Sequence, residues 1–401
     1  MLSKLLTNKC SVLQSSLVAG LMSLTVSANA QDSQDLQIHG FIAQGIIEAS
    51  DSDFVNDDGD LSSALTELGV NFSYQLADNL RLAGQAVYID GGNRYADGAR
   101  IDYALLDWTA YQTLESKLNI YFGRYKNYHW LYSSTRDIPH TRPTIVLPQS
   151  IYFDGFRDIA VGGDGVAMSY KHNSGLGDID INLSYGTSDI SDKQTEIILS
   201  EFATGKMTHD TDYQASAYWQ PIDSQWRFGI VGLDSEFGYD QSENDTFYDA
   251  KIILQRFMLN ALFEGERWEF STEVNQERFA LDGFYAPSAH LDRKGQGIYM
   301  QVRYRLNEQI RLLARQEFFY ADKDDKDGDN LASSFGLPKY FGYQHDTTIG
   351  ASVDLASNLR LQAEFHWYQG TARLTPVVVP NPVINNSEYW QMWALQLMYW
   401  F

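Results

Sequence analysis

The chain has 401 residues, 44% hydrophobic and 14% aromatic, with 52 acidic against 30 basic side chains, a formal charge of −22 and one cysteine, Cys10. Its 25 Tyr, 21 Phe and 9 Trp need apolar surface to rest on, which excludes a disordered chain. The acidic balance excludes a nucleic-acid binder, because phosphate contacts need a basic footprint.

At the start of the chain, Lys4 and Lys9 precede a short apolar stretch from Ser11 to Val26, followed by Ala28-Asn29-Ala30. This order predicts a secretory signal peptide over 1–30, since the stretch is too short and too rich in Ser and Thr for a spanning helix. Cys10 leaves with it, so the mature chain, 31–401, has no disulfide. No cluster of Cys and His suggests a metal, and no cofactor is expected.

Beyond Gln31 the recurring pattern is period-two alternation over 8 to 11 residues. Leu68, Val70, Phe72, Tyr74 and Leu76 alternate with Glu67, Gly69, Asn71, Ser73 and Gln75. The same reading places strand centres near 41, 72, 84, 106, 121, 168, 182, 216, 229, 258, 272, 302, 314, 350, 363 and 396. Short connections, such as Ala77-Asp78-Asn79 and Ala356-Ser357-Asn358, alternate with long polar ones. A weak repeat, Leu76 to Leu82, Leu306 to Leu312 and Leu355 to Leu361, shares one hairpin plan. No linker interrupts the run, so 31–401 reads as one domain.

Sixteen such strands with asymmetric connections predict an all-β fold, a transmembrane antiparallel β-barrel in which closure satisfies every backbone group inside lipid. A soluble propeller or sandwich would also alternate. Aromatic residues at segment ends, as in Trp226-Arg227-Phe228, Trp268-Glu269-Phe270 and Trp390 to Phe401, favour the membrane through interfacial girdles.

At the C-terminus, Trp393, Leu395, Leu397, Tyr399 and Phe401 form one apolar face, and the chain ends on the aromatic. This ending resembles the terminal strand by which Gram-negative outer-membrane barrels are recognised by their assembly machinery, and residues 36–401 resemble a sixteen-stranded porin. Through Gly123-Arg124-Tyr125-Lys126 and the stretch Thr135 to Pro143 the chain is similar to the phosphate-selective porin group. The resemblance implies a water-filled channel for passive diffusion of small hydrophilic solutes and ions. It also implies a homotrimer, contacts with outer-membrane lipid and lipopolysaccharide, and a third extracellular loop folded into the barrel.

The connection after the fifth strand, about 126–158, holds that rank and carries Pro139, Pro143 and Pro148, which fix φ and discourage extension of the strands. In an acidic chain it is basic: Arg124, Lys126, Arg136, Arg142 and Arg157 stand against Asp137, Asp154 and Asp158. With His140 these basic residues are the expected pore constriction, a positive ring that favours anions. The competing reading pairs the arginines with nearby acids to hold the loop. By parity the lumen also receives Arg81, Arg227, Arg303, Arg305, Arg311, Arg315 and Arg360, balanced by Glu67, Asp180, Glu269, Glu273, Glu317, Asp354 and Glu364.

The acidic excess lies in the long loops, with Glu48, Asp51, Asp53, Asp57, Asp58 and Asp60 in the first. The run Asp322 to Asp329 departs from the calcium-loop spacing and has no closing Glu. Gly40, Gly84 and Ala86 are small residues at which barrels could pack together. A cation-preferring or sugar-specific porin is the alternative channel. A barrel hydrolase is the rival class, with Ser133, Ser134, His129 and His140 as its only candidates, and nothing fixes the base and orienting group it needs. A gated transporter needs a plug domain, and Gln31 to Leu36 leaves no room for one.

Overall fold

The protein is described by a computed structural model for residues 36–160 and 162–401; the expected signal peptide lies outside the described residues. Its first eight strands are β1 (Leu36–Ser50), β2 (Thr66–Ala77), β3 (Leu80–Asp90), β4 (Gly98–Gln112), β5 (Ser116–Lys126), β6 (Gly162–Ser174), β7 (Gly177–Thr187) and β8 (Lys206–Pro221). The rest are β9 (Trp226–Asp240), β10 (Ala250–Glu264), β11 (Trp268–Asp282), β12 (His290–Arg305), β13 (Ile310–Tyr320), β14 (Tyr343–Ala356), β15 (Leu359–Gly370) and β16 (Tyr389–Trp400). Each of the sixteen centres read from the sequence falls inside one of them.

Every strand pairs antiparallel with its sequence neighbour, and β16 returns to β1, closing the barrel. Cross-strand partners share a face, so register sorts the wall into two surfaces. Phe122 lies opposite Val166, each 42% exposed, whereas Asn119 lies opposite Ser169 and both are buried. Val70, Phe72, Ile230, Phe257 and Ile349 are likewise exposed, although they are large and apolar. Such a surface is stable against hydrocarbon, not water.

Short turns, such as 78–79, 175–176 and 265–267, alternate with the long loops 51–65, 127–160, 188–205, 321–342 and 371–388, so the two ends of the barrel differ. At the seam, Gly40 donates to the carbonyl of Phe401 (3.1 Å) and Phe401 donates back (3.0 Å). A Cβ at Gly40 would lie 2.6 Å from the Phe401 ring, and one at Gly84 would lie 2.7 Å from the Phe72 ring. These glycines are therefore seats for rings of their own wall, which accounts for their size without a second subunit.

Candidate functional site

The third loop, 127–160, leaves β5 and turns into the lumen, where most of its residues are buried. Its first anchors face β7, β8 and β11. The His129 ring bonds to Ser216 (3.1 Å, Nδ1) and Ser184 (2.9 Å, Nε2), and Glu273 accepts from the Leu131 amide (3.3 Å) and the Tyr152 hydroxyl (2.5 Å). On β13 and β15, Glu317 accepts from the Ser150 amide, and Glu364 accepts from the amides of Ile145 and Val146, all at 2.8 Å. Carboxylates that accept backbone N–H bonds stay satisfied while buried, so these three acids act as clamps.

On the opposite wall the loop closes a network of charges. Arg142 makes a bidentate pair with Glu67 (2.6 and 3.1 Å), and Arg157 bridges Glu67 (3.3 Å) and Asp137 (2.5 Å). Arg136 donates to Asp154 (2.9 Å) and to the carbonyls of Tyr152 and Phe153. Lys126, at the end of β5, pairs with Asp102, and Arg94 reaches Asp154 at 3.5 Å. Planar guanidinium groups suit such bidentate and multi-carbonyl contacts, which Lys could not reproduce. Burial opposes ionisation of Asp137, but Arg157 and Lys126 outweigh it and hold the carboxyl well below the usual carboxylate range.

In this geometry the basic residues of the loop meet acids of the wall and of the loop itself. Lys126, Arg136, Arg142 and Arg157 are buried in ion pairs and seat the loop, instead of standing as a solvated ring. Arg124 is a correction: it shares the face of Phe122 and pairs with Asp164 (2.5 Å) on the outer side of the wall. His140 stacks on Trp400 at 4.5 Å, away from Ser133, whose hydroxyl donates to the carbonyl of Asn127 (2.9 Å). His129 has two serine partners that local sequence could not supply, and among the described residues no carboxylate bonds to its ring.

The lumen residues divide by height. Glu273, Glu317 and Arg315, expected to face water, lie buried under the loop; Arg315 donates to Thr144 and to the Val146 carbonyl. Nearer the short turns the expected arginines are more open. Arg81 pairs with Asp107 (2.6 Å), Arg227 with Asp180 (3.2 Å) and Arg303 with Glu269 (2.8 Å). Arg311 and Arg360 share Asp354 (both 2.6 Å), and Arg305 is exposed. Above the third loop, Val378 and Val379 of loop 371–388 donate to the carbonyls of Ile198 and Leu199, over an apolar cluster with Phe247 and Phe284.

Burial lowers the His129 imidazole to about 4. Its unfolded counterpart titrates near 6.5, so the stabilising contribution is complete above that pH and is lost as pH falls from about 6.5 through 4. Asp137 acts in the same direction at lower pH: its contribution persists above about 3.9 and fades only in stronger acid. The unfolding midpoint of the barrel is therefore expected to drop between pH 6.5 and 4, and His129→Gln is expected to flatten that limb. An unchanged slope in the variant contradicts this assignment.

A comparison with protein-family models finds no match, and neither does one with curated protein sequences. Solved structures share the fold. The anion-selective porin from Comamonas acidovorans aligns with a TM-score of 0.57 at 11% identity, over 91% of this chain and 99% of that one. In-vitro folded OmpT of Vibrio cholerae, an outer membrane protein in its trimer form, aligns at 0.56 and 11% identity over the same shares. Salmonella typhi OmpF in complex with daunomycin aligns at 0.54 and 13% identity, over 91% and 97%. The chain shares with these outer-membrane proteins the fold of a closed sixteen-stranded antiparallel barrel.

Proposed function

We propose that this chain is an outer-membrane porin, a passive channel for small hydrophilic solutes, exported through a cleaved signal at 1–30 and assembled as a homotrimer. The observation that carries the reading is a closed barrel with an apolar outer face and a polar, charged inner face, into which a long loop is folded. A wall of that polarity separates lipid from a polar passage. The trimer form of the V. cholerae relative supports the oligomer, and the terminal apolar face suits recognition by the assembly machinery. Because the third loop is packed against both sides of the wall, the conductance is small.

Anions are the preferred ions. Below the loop, parity turns Lys117, Lys171, Arg81, Arg227, Arg303, Arg305, Arg311 and Arg360 inward, against Asp107, Asp178, Asp180, Glu264, Glu269 and Asp354. Lys117 lies directly opposite Lys171, and Arg305 opposite Arg311, on nearly facing sides of the barrel. Glu264 also faces Glu269 beside Arg303, and on the basic side Arg311 pairs with Asp354 and Lys171 has Asp180 as its other neighbour, so the preference rests on the excess of eight basic over six acidic residues. Like charges opposed across a ladder cost stability, so they point to a field that serves the solute.

The test is the reversal potential of the purified protein in a planar bilayer under a salt gradient. Anion preference is expected, and Lys171→Glu with Arg305→Glu should move the reversal potential toward cations. Cation preference in the parent would place selectivity in the acidic loop 51–65 instead, and no conductance would sink the channel reading.

A further inference from the structure

Loop 371–388 joins β15 to β16, and its two ends meet where the Gly370 amide donates to the Glu388 carbonyl (2.7 Å). From that neck it leaves the wall and crosses the mouth of the barrel. The amides of Val378 and Val379 reach the carbonyls of Ile198 and Leu199 (3.2 and 3.0 Å) in the loop between β7 and β8, eight strands away in a ring of sixteen. That is the facing side. On the way, the Val378 carbonyl accepts from the Tyr285 hydroxyl (2.6 Å), between β11 and β12, and the Thr375 hydroxyl lies 3.5 Å from the Asn93 carbonyl, between β3 and β4. These contacts stand at quarter turns round the ring, so one short segment meets every side of the mouth.

Beneath the segment lies the third loop. Leu374 is buried in one cluster with Ile145 and Val146, and the Arg373 guanidinium lies 3.6 Å over the Phe319 ring and 5.0 Å over that of Phe153. Arg373 pairs with Glu277 on β11 (3.0 Å), but Arg256 holds the other oxygen of that acid (2.9 Å). Burial, with Arg256 and Arg293 alongside, lowers the Arg373 group to about 10, and Glu277 opposes this only in part. When Arg373 departs, Glu277 keeps Arg256 and Arg373 regains water, so this contact gives way without stranding a charge. Few apolar contacts add to it. Of the apolar side chains in the loop only Leu374 and Val378 are buried, while Val383 and Ile384 at its tip are exposed.

We infer that loop 371–388 is a lid, latched by Arg373 on Glu277, which closes the outer mouth above the third loop and lifts about its neck at Gly370 and Glu388. A loop that only covered its own strands would stay beside β15 and β16, whereas this one bridges the full width of the lumen. The two loops then divide the work. The third loop sets the size of the open passage, and the lid sets how often that passage is reached. The inference rests on the channel reading for its conductance test and is independent of it for its labelling test.

Single-channel records of the parent are expected to show a low level with brief steps to a larger one. Arg373→Ala should raise the fraction of time at the larger level about tenfold, and replacing 373–386 by Gly-Ser-Gly should hold the channel there. Val383→Asn, at the exposed tip, leaves the record as in the parent. For the second readout, a charged thiol reagent is added to the detergent-solubilised barrel carrying Ile145→Cys, a position under the lid. It should react about tenfold faster when Arg373→Ala is added, and faster still with the shortened loop. Heat-dependent gel mobility reports that each variant is folded. A shortened loop that changes neither conductance nor labelling overturns the lid. A shortened loop that opens the channel while Arg373→Ala changes nothing overturns the latch. Faster labelling with no conductance in any variant supports the lid and overturns the channel reading.

Discussion

Replacing Glu67 by alanine is expected to release the third loop from one side of the barrel and raise single-channel conductance several-fold. Glu67 is 1% exposed and receives both nitrogens of Arg142 and one of Arg157, with Gln396 at 3.4 Å. Without it Arg157 retains Asp137, but Arg142 is left with the Arg136 carbonyl (2.9 Å) and no carboxylate in hydrogen-bond reach, and breaking a buried pair in this way costs about 3–5 kcal/mol. The wall does not absorb that cost, because the β2 ladders to β3 are made by the backbone. The loop does, and it can swing on the clamps at Glu273, Glu317 and Glu364. Glu67→Gln, which keeps acceptor geometry without charge, should fall between parent and alanine variant. Conductance and protease resistance of residues 131–160 are the readouts; if neither changes, the loop is not held by this network.

Gly40→Leu is expected to lower the yield of folded barrel by about tenfold or more. A side chain there meets the Phe401 ring at 2.6 Å and the carbonyl oxygen of Gly69 at 2.9 Å. The ring can turn away, but the Gly69 carbonyl belongs to the β2 backbone and cannot. The strain falls on the β1–β16 seam, where the Gly40 and Phe401 backbones exchange hydrogen bonds. Within lipid each unpaired backbone group costs several kcal/mol, and an open seam leaves two strand edges exposed. Folded yield is read from the heat-dependent shift in gel mobility. A normal yield would show that the terminal strand tolerates a second side chain at its closing partner.

The difference between these two sites also explains what sequence could and could not reveal. Alternation is local: each strand advertises its two faces within about ten residues, so strand number, the polarity of wall and lumen, the short and long connections and the terminal apolar face were all determined by the sequence alone. Parity also places Arg124 on the outer face, in the register of Phe122. The contacts of the third loop were not legible, because its partners are distant. Arg142 meets Glu67 across 75 residues, and Ile145 meets Glu364 across 219. Whether a buried arginine is a solvated pore charge or a sealed ion pair depends on which carboxylate the closed barrel brings within about 3 Å, and only closure sets that distance. The sequence determined the wall; the tertiary structure decided what fills it.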